Sequence, residues 1–250
     1  MDIFLVFLVG ISIGSFLNVV IYRVPRRESI LFPPSHCPYC NHKFSPLDNI
    51  PIISYIFLKG KCRYCGKPIS PMYPIVELTT GIIFVLTYLK FGFPFCIYYA
   101  VAATLLLVIA LIDLNTMYVY MNILIPGIFF SILVPTAISI INKSWLPLVN
   151  SLSGFILISG EILLVYLISY VFYKQEGIGQ GDIFVAMLIG AVLGPALGSV
   201  AIGLSFVFGA FIELIKGSKN MKKEVPFVPY MMIGFLISLL AGDKILSFLL

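Results

Sequence analysis

Residues 3–22 read IFLVFLVGISIGSFLNVVIY, a run without a single charged side chain. A helix of about 20 apolar residues is long enough to cross the hydrocarbon core of a bilayer. The run begins after only two residues, and its flanking positive charges, Arg23, Arg26 and Arg27, all follow it. A cleaved secretory signal would instead place positive charges before the apolar run. The pattern therefore predicts a retained membrane span, with its N-terminus outside and Arg23 in the cytoplasm.

The chain as a whole is also strongly apolar. Of its 250 residues, 60% are hydrophobic and 11% are charged, whereas soluble domains are about half apolar and a quarter charged. This composition excludes an ordinary soluble enzyme and predicts an all-α polytopic membrane protein with about eight transmembrane helices. Pro195, Gly198 and Ser199 are the turn signal that divides the long run from 183 to 215. The apolar runs after the first span lie at about 74–89, 95–112, 121–141, 149–172, 183–198, 199–215 and 227–248.

The positive charges, which do not enter the assignment of the spans, agree with this topology. With the N-terminus outside, eight spans place residues 23–73, 113–120, 173–182 and 216–226 on the inside, with thirteen of the sixteen Lys and Arg residues. Such an asymmetry is typical of cytoplasmic loops. The lysines from 216 to 223 are expected to fix the topology and to contact anionic lipid. No basic patch with interleaved aromatic residues suggests nucleic acid as a partner.

Two acidic residues fall on the predicted cytoplasmic side: Asp182, which ends GIGQGD (177–182), and Asp113, within LIDLNTMYVY (111–120). Ionisable groups at membrane depth are costly and usually face a cavity or a partner. Two facing carboxylates do not both ionise easily, and they share a proton in aspartic proteases, where one activates water and the other polarises the scissile carbonyl. The alternative is that Asp113 is an interfacial acid and Asp182 a helix N-cap.

The glycines of this loop, Gly177, Gly179 and Gly181, suit the same site. Glycine lets the backbone approach an extended peptide closely or adopt a positive φ. Non-helical backbone at this depth is tolerated where it lines a water-filled cavity.

The longest polar segment, residues 23–73, contains two C-x-x-C pairs separated by 21 residues. A segment this short needs a cross-link or a metal to be ordered, and a cytoplasmic location disfavours disulfides. Two such pairs fit a tetrahedral zinc held by four thiolates, with a redox pair or free thiols as the alternative. His36 and His42 are then not ligands, and Cys96 is expected to be a buried apolar residue. The predicted zinc ligands are Cys37, Cys40, Cys62 and Cys65.

Short motifs follow one another in order along the chain. They are GSFLNVVIYRVP (14–25), DNIPIISY (48–55), CRYCGKPIS (62–70), YPIVEL (73–78), LID (111–113), GQGD (179–182), GAVLGP (190–195) and VPFVPY (225–230). Together they resemble the type IV prepilin peptidases, also called leader peptidase/N-methyltransferases, over nearly the whole chain.

This resemblance implies a bacterial, multi-pass protein of the cytoplasmic (inner) membrane whose active site faces the cytoplasm. Its substrate would be a type IV prepilin or pseudopilin, cleaved after a glycine that ends a short basic leader. Methylation of the new N-terminus by S-adenosylmethionine would follow. The resemblance assigns the catalytic carboxylates to Asp113 and Asp182 and the zinc-type ligands to the four paired cysteines. It gives no oligomeric state.

The chain is accordingly expected to have three parts: a first helix (1–22), a cytoplasmic zinc-ribbon-like insertion associated with methyl transfer (23–73), and a membrane peptidase domain (74–250). Glu77, at the start of the second span, could hold the substrate amine or the sulfonium donor, or else cap its helix or pair with a cation. Asn18 could orient the amine or form a hydrogen bond between helices. Glu161, within the fifth span, is a functional candidate or an acid bonded to a Ser or Tyr.

Four positions depart from the family pattern: Met72 where Arg is common, Tyr120 near a usual Pro, Phe184 in place of Lys, and Val228 where PFGP has Gly. Met72 lies in the part linked to methylation, so a peptidase without methyl transfer is one alternative function. A proton-coupled transporter, with its acids at the membrane midplane, and a zinc-ribbon adaptor without chemistry are the others.

Overall fold

A computed structural model describes residues 2–174, 178–216 and 225–249. Over these residues the protein is helical, and its β-structure is limited to two isolated bridges, His36 with Lys43 and Lys61 with Pro68. The predicted fold class, a polytopic helical membrane protein with a small insertion after the first helix, is confirmed. The α-helices are α1 (Ile3–Arg23), α2 (Ile53–Phe57), α3 (Met72–Phe91), α4 (Phe95–Thr116), α5 (Met121–Ile141), α6 (Leu146–Tyr173), α7 (Gln180–Lys216) and α8 (Val228–Leu249).

Seven helices in the described residues are long and apolar enough to cross a membrane, against the eight spans expected. The difference lies in α7, whose apolar part runs for 36 residues from Gln180 to Ile215. A straight helix of that length would extend about 54 Å, well beyond the roughly 30 Å hydrocarbon core.

The helix α7 is not straight, because Gly194 has a φ of 76° and a ψ of −179°. A Cβ atom built on Gly198 would lie 3.6 Å from the Cα of Gly190. Residues eight apart in one straight helix are separated by about 12 Å, so the chain doubles back at Gly194. The run therefore forms two antiparallel segments, as expected, but it turns four residues earlier than the predicted division at 198.

The chain divides into two compact units, Met1–Ala100 and Val101–Leu250. In the first unit, α1 and α3 pack with their backbones in close contact. A Cβ on Gly10 would lie 2.8 Å from the Cα of Gly81, and one on Gly14 would lie 2.7 Å from the Cα of Glu77. The spacing of Gly10 and Gly14 is the G-x-x-x-G pattern by which membrane helices approach closely.

The insertion between α1 and α3 is anchored by a buried arginine at the end of α1. The guanidinium of Arg23, 6% exposed, donates hydrogen bonds to the carbonyls of Ser29 (2.8 Å) and Pro33 (2.6 Å). A buried cation needs such partners. Arg23 therefore folds the first residues of the insertion back against the end of α1.

In the second unit, α6 packs against both segments of α7. Ile158 of α6 lies beside both Gly190 and Gly198, and Gly154 contacts the backbone of Gly190 and Gly194. The second segment of α7 pairs with α8, where the hydroxyl of Ser238 donates to the carbonyl of Leu197 at 2.6 Å. Because Gly154 meets the backbone of α7 at Gly190 and Gly194, the axes of α6 and α7 lie close together.

Candidate active site and four-cysteine centre

Asp113 lies on α4, one turn before this helix ends at Thr116, and is 5% exposed. Its carboxylate accepts a hydrogen bond of 3.3 Å from the main-chain N–H of Val228. Val228 is the first residue of α8, so its N–H has no partner within that helix and the positive end of the helix dipole points at the acid. Asp113 was expected just beyond its span, but α4 continues through it.

Asp182 occupies the first turn of α7 and is 6% exposed. Its Oδ2 accepts a hydrogen bond of 3.0 Å from the N–H of Gly179, while its own N–H donates to the carbonyl of Gly179. The carboxylate thus reaches back from the third helical position to the residue that precedes the helix, as the acidic member of a capping box does. Asp182 is therefore not the N-cap itself, which is Gly179.

The two buried carboxylates are close enough to interact electrostatically. The structure thus brings together two acids that the sequence separates by the whole of α5 and α6. At the same end of this unit lie the start of α8 and the 117–120 segment that links α4 to α5.

The glycines beside Asp182 pack closely against their neighbours, and their expected approach to an extended peptide stays a prediction. Neither Gly179 nor Gly181 has a positive φ, so that part of the expectation is wrong, and Gly177 lies outside the described residues. A Cβ on Gly181 would lie 2.8 Å from the Cβ of Val119. Gly181 is thus required by packing, because it lets the start of α7 lie directly against the α4–α5 link.

The four paired cysteines form one cluster, with all sulfur atoms within 4.8 Å of one another. The Sγ atoms of Cys37 and Cys65 are 3.8 Å apart. Tetrahedral zinc with Zn–S distances of about 2.3 Å places its sulfurs about 3.8 Å apart. The donor set and its spacing therefore fit a four-thiolate metal centre.

Each cysteine pair lies in a tight hairpin of its own, and the two hairpins, 37–42 and 62–67, have the same hydrogen bond. Cys37 N–H donates to the carbonyl of His42 at 3.0 Å, and Cys62 N–H donates to that of Lys67 at 2.8 Å. The residue after the second cysteine has a positive φ in both hairpins, at Asn41 (55°) and Gly66 (71°). Asn and Gly tolerate this conformation best, so the local sequence favours both turns.

The thiols differ in their tendency to ionise. Burial opposes ionisation of Cys37, but hydrogen bonds from the main-chain N–H groups of Tyr39 and Cys40 and from the thiols of Cys62 and Cys40 together outweigh it and lower its pKa to about 7. At Cys65 the N–H of Lys67 favours the thiolate, but burial and the three neighbouring sulfurs raise the pKa to about 11. Metal ligation requires thiolates. A bound cation would offset the repulsion between the neighbouring sulfurs and so favour the thiolate form.

A salt bridge joins the second hairpin to the segment between the two hairpins. Asp48 lies between them and accepts hydrogen bonds from Arg63 (2.7 Å), from the hydroxyl of Tyr64 (3.2 Å) and from the hydroxyl of Ser45 (2.8 Å). Burial opposes ionisation of Asp48, but the bonds from Ser45 and Arg63 hold the pKa of this carboxyl below its usual value. The ring of Tyr64 also packs on His42, with centroids 3.6 Å apart.

The residues expected not to bind metal lie outside the sulfur cluster. His36 Nδ1 is 3.0 Å from the carbonyl of Pro34, and His42 packs on Tyr64. Cys96 is buried, with 5% of its surface exposed, which confirms the expectation of a buried residue.

Glu77 and Asn18 both link segments of the first unit. The Oε2 atom of Glu77 accepts a hydrogen bond of 2.7 Å from the N–H of Ile52, and Ser15 also contacts this carboxylate. Asn18 Nδ2 donates to the carbonyl of Tyr73 at 3.0 Å, which is the interhelical bond foreseen as one alternative. Glu77 thus neither caps α3 nor pairs with a Lys or Arg among the described residues; it anchors the insertion. Its function in methyl transfer stays a prediction.

Glu161 is bonded to a serine, as one of its alternatives foresaw. Its Oε1 accepts a hydrogen bond of 2.6 Å from the hydroxyl of Ser199 on the second segment of α7. Of the lysines expected to contact lipid, Lys219, Lys222 and Lys223 lie outside the described residues.

Comparison with known proteins agrees with this geometry. Residues 8–91 match the family model described as the bacterial peptidase A24 N-terminal domain, and residues 100–214 match that of the type IV leader peptidase family. A relative from Bacillus subtilis (strain 168), named prepilin leader peptidase/N-methyltransferase, is 32% identical over 98% of this chain and 96% of its own length. The chain belongs to the type IV leader peptidase family.

Other type IV leader peptidase family members are similarly close. A protein of the same name from Aeromonas hydrophila is 31% identical over 96% of this chain and 91% of its own length. Another from Klebsiella pneumoniae is 36% identical over 75% of this chain and 83% of its own length. No solved structure matches.

The departures from the type IV leader peptidase pattern leave both carboxylates in place. The main-chain N–H of Val228 donates the hydrogen bond to Asp113. A glycine at this position would carry the same N–H, so the bond does not depend on the side chain of Val228. Tyr120 is the residue before α5, and Met72 is the first residue of α3. Phe184 follows Asp182 on α7 and is 38% exposed.

Sequence reasoning did not predict the contacts of Val228, Ile52 or Val119. Val228 and Ile52 contact the acids through main-chain N–H groups, which every residue except proline carries. The VPFVPY and DNIPIISY motifs that contain them were the only available signals, and neither motif specifies a hydrogen bond.

Proposed function

We propose that this protein is an integral-membrane aspartyl endopeptidase that cleaves the basic leader of type IV prepilins or pseudopilins after a glycine. The observation that carries the proposal is the burial of Asp113 and Asp182 together at one end of the second unit. Membership of a family of leader peptidases names the reaction, and these two acids supply the chemical groups that it needs.

In this proposal the pair shares one proton. The ionised carboxylate takes a proton from water, which attacks the carbonyl carbon of the scissile peptide. The protonated carboxyl donates its proton toward the carbonyl oxygen and stabilises the tetrahedral intermediate. The N–H of Val228 and the N–H of Gly179 each hold one oxygen of their acid, so the carboxylates are oriented before substrate binds.

The four-cysteine centre is proposed to hold structural zinc. The segment 23–73 contains only one short α-helix and two 3₁₀-helical turns, so a metal is its main source of order. Four thiolates fill the coordination sphere and leave no open position for catalysis. The zinc would therefore stabilise the insertion and not take part in peptide cleavage.

Methyl transfer from S-adenosylmethionine is proposed as a second activity, because full-length relatives carry both activities in their name. The reaction needs a neutral α-amine placed in line with the methyl–sulfur bond. Glu77 could accept a proton from the ammonium or offset the charge of the sulfonium, and Asn18 could orient the amine. Peptide cleavage without methyl transfer is the alternative.

The proposed topology places the N-terminus outside and both the insertion and the paired acids on the cytoplasmic side of a bacterial membrane. The asymmetry of the Lys and Arg residues supports it. The three-part division at 22 and 73 also stays a proposal. A proton-coupled transporter is less well supported, because Asp113 and Asp182 lie near helix ends, whereas transporter sites lie at the midplane.

The test uses the full chain in lipid vesicles with a prepilin from the same organism, followed by mass spectrometry of both products. The proposal predicts a free leader that ends in glycine and, with S-adenosylmethionine present, a mature pilin heavier by one methyl group. An unmethylated but cleaved pilin at every donor concentration would leave the peptidase alone. An intact prepilin would contradict the proposal.

A further inference from the structure

The insertion exposes several large apolar side chains within the described part of the chain. Phe57 is 80% exposed, Leu31 76%, Phe32 75% and Ile56 66%. Ile53, Ile56 and Phe57 lie three and four positions apart on α2 and therefore share one face. We call Leu31, Phe32, Ile53, Ile56 and Phe57 the apolar patch. Exposed apolar patches of this kind mark interaction sites.

The opposite side of α2 faces the insertion itself. The hydroxyl of Tyr55 points to the carbonyl of Ile69 at 3.4 Å and lies beside Gly60. This short helix is thus amphipathic, with one side used in the fold and the other exposed.

The position of α2 relative to the bilayer follows from Glu77. The 20 residues of α3 extend about 30 Å, which is the thickness of the hydrocarbon core, so Met72 lies at its boundary. Glu77, the sixth residue of α3, accepts the hydrogen bond from Ile52, the residue directly before α2. The helix α2 is therefore held at the level where α3 enters the membrane.

Leu31 and Phe32 are held at the same level by α1. Arg23 ends α1, and its guanidinium binds the carbonyls of Ser29 and Pro33 on either side of these two residues. The guanidinium of Arg26 stacks on Tyr22, 3.8 Å from the ring centroid. Aromatic residues paired with cations at a helix end are typical of the membrane–water interface.

We propose that the apolar patch is inserted in the headgroup region of the bilayer and seats the insertion on the membrane surface. The occupant is lipid, because hydrogen bonds tie both parts of the patch to membrane helices near their ends: Leu31 and Phe32 through Arg23, and α2 through Glu77. Lys59 and Lys61 lie within four residues of the end of α2 and complement anionic headgroups. Interfacial helices bury their apolar face about 5–10 Å into this boundary, which matches the level fixed by Glu77. The zinc-type hairpins are thereby held at a fixed distance from the surface.

The test places a single tryptophan in the patch of the full-length protein. Trp145 is the one tryptophan of the chain and is first replaced by Phe, and Phe57→Trp is then reconstituted in vesicles of phosphatidylcholine and phosphatidylglycerol. Tyr39→Trp, in the first cysteine hairpin, is the matched control. Lipids with a nitroxide near the top of the acyl chain should quench the fluorescence of Phe57→Trp several-fold more than that of Tyr39→Trp, and aqueous iodide should show the reverse order.

Equal quenching of the two variants by nitroxide lipid, or full access of iodide to the indole of Phe57→Trp, would overturn the proposal. A second outcome would also overturn it: a Phe57→Trp fluorescence that changes with a prepilin peptide, or with protein concentration in detergent, but not with lipid. The patch would then bind the substrate or a second copy of the chain.

A second variant tests the same contact without fluorescence. Ile56→Asp combined with Phe57→Asp should release the insertion and speed tryptic cleavage after Lys59 and Lys61 several-fold in vesicles. Unchanged metal content would show that the fold of the insertion is intact, and an unchanged rate of tryptic cleavage would again contradict lipid contact.

Discussion

The carboxylate of Asp113 accepts a hydrogen bond from the main-chain nitrogen of Val228, 115 positions further along the chain. The bond joins the end of α4 to the start of α8 and directs the N-terminal dipole of α8 at one of the two proposed catalytic acids. The orientation of Asp113 therefore depends on a helix that contributes no acid of its own to the site.

Replacing Val228 by Pro should slow cleavage by about 10- to 100-fold, because a hydrogen bond to a charged group contributes about 1.5–3 kcal/mol. Proline is tolerated at the first position of a helix, so the change removes the donor with little cost to α8. The initial rate of prepilin cleavage measures the effect. Val228→Ala keeps the N–H and should stay within a few-fold of wild type; equal losses in both variants would show that the side chain, and not the bond, matters.

Gly181→Ala should reduce both stability and cleavage. The added Cβ would lie 2.8 Å from the Cβ of Val119, and overpacking of this kind costs about 1–3 kcal/mol. Val119→Gly in the same chain should restore part of the loss, because it removes both the Cβ and the Cγ2 atom that clash. Gly203→Ala, where no atom lies within 4 Å, is the matched control. Thermal unfolding and cleavage rate are the two measurements, and a double variant no better than Gly181→Ala would refute the packing role.

Protein purified without added metal should contain one zinc per chain. Cys62→Ala should abolish this content and loosen the insertion, because loss of a ligand removes binding energy that is also folding energy. Cys96→Ala removes a buried cysteine outside the cluster and should leave the metal in place. Elemental analysis with thiol titration decides the matter; a metal-free wild type whose cysteines all react as free thiols would exclude the centre.

Glu77→Gln should show whether methyl transfer needs the charge of Glu77 or only its hydrogen bond to Ile52. Glutamine can still accept the hydrogen bond from Ile52, but it neither takes up a proton nor offsets a sulfonium. We expect methylation to fall by at least about tenfold, as for the loss of a charge-assisted contact, while cleavage persists. Mass spectrometry of the mature pilin measures both. Normal methylation in Glu77→Gln, with a defect only in Glu77→Ala, would reduce Glu77 to an anchor for the insertion.

The sequence predicted the helices and the cysteine cluster well, because each rests on a strong local signal. Long apolar runs and C-x-x-C pairs are determined by residue type and spacing alone. The start and end of α5 agree with expectation, and the other span boundaries differ by a few residues at most sites.

Contacts between elements could not be predicted in the same way. In a membrane, lipid-facing and buried residues are both apolar, so periodicity does not reveal which glycines lie between helices. Gly81 is such a case, since it lies in an apolar run just as the exposed Gly203 does. The reversal at Gly194 was misplaced by four residues because Gly198, also a glycine, offered an equally good turn signal.

The central claim is that Asp113 and Asp182 together cleave the prepilin. Asp113→Asn and Asp182→Asn are nearly isosteric with wild type, and Asp243→Asn makes the same chemical change on the exposed part of α8. In vesicles with one prepilin, each of the first two variants should lose at least about 10²-fold in cleavage rate, within the range typical of a lost acid or base, whereas Asp243→Asn should cleave normally. Cleavage by either Asp113→Asn or Asp182→Asn within a few-fold of wild type would contradict the account.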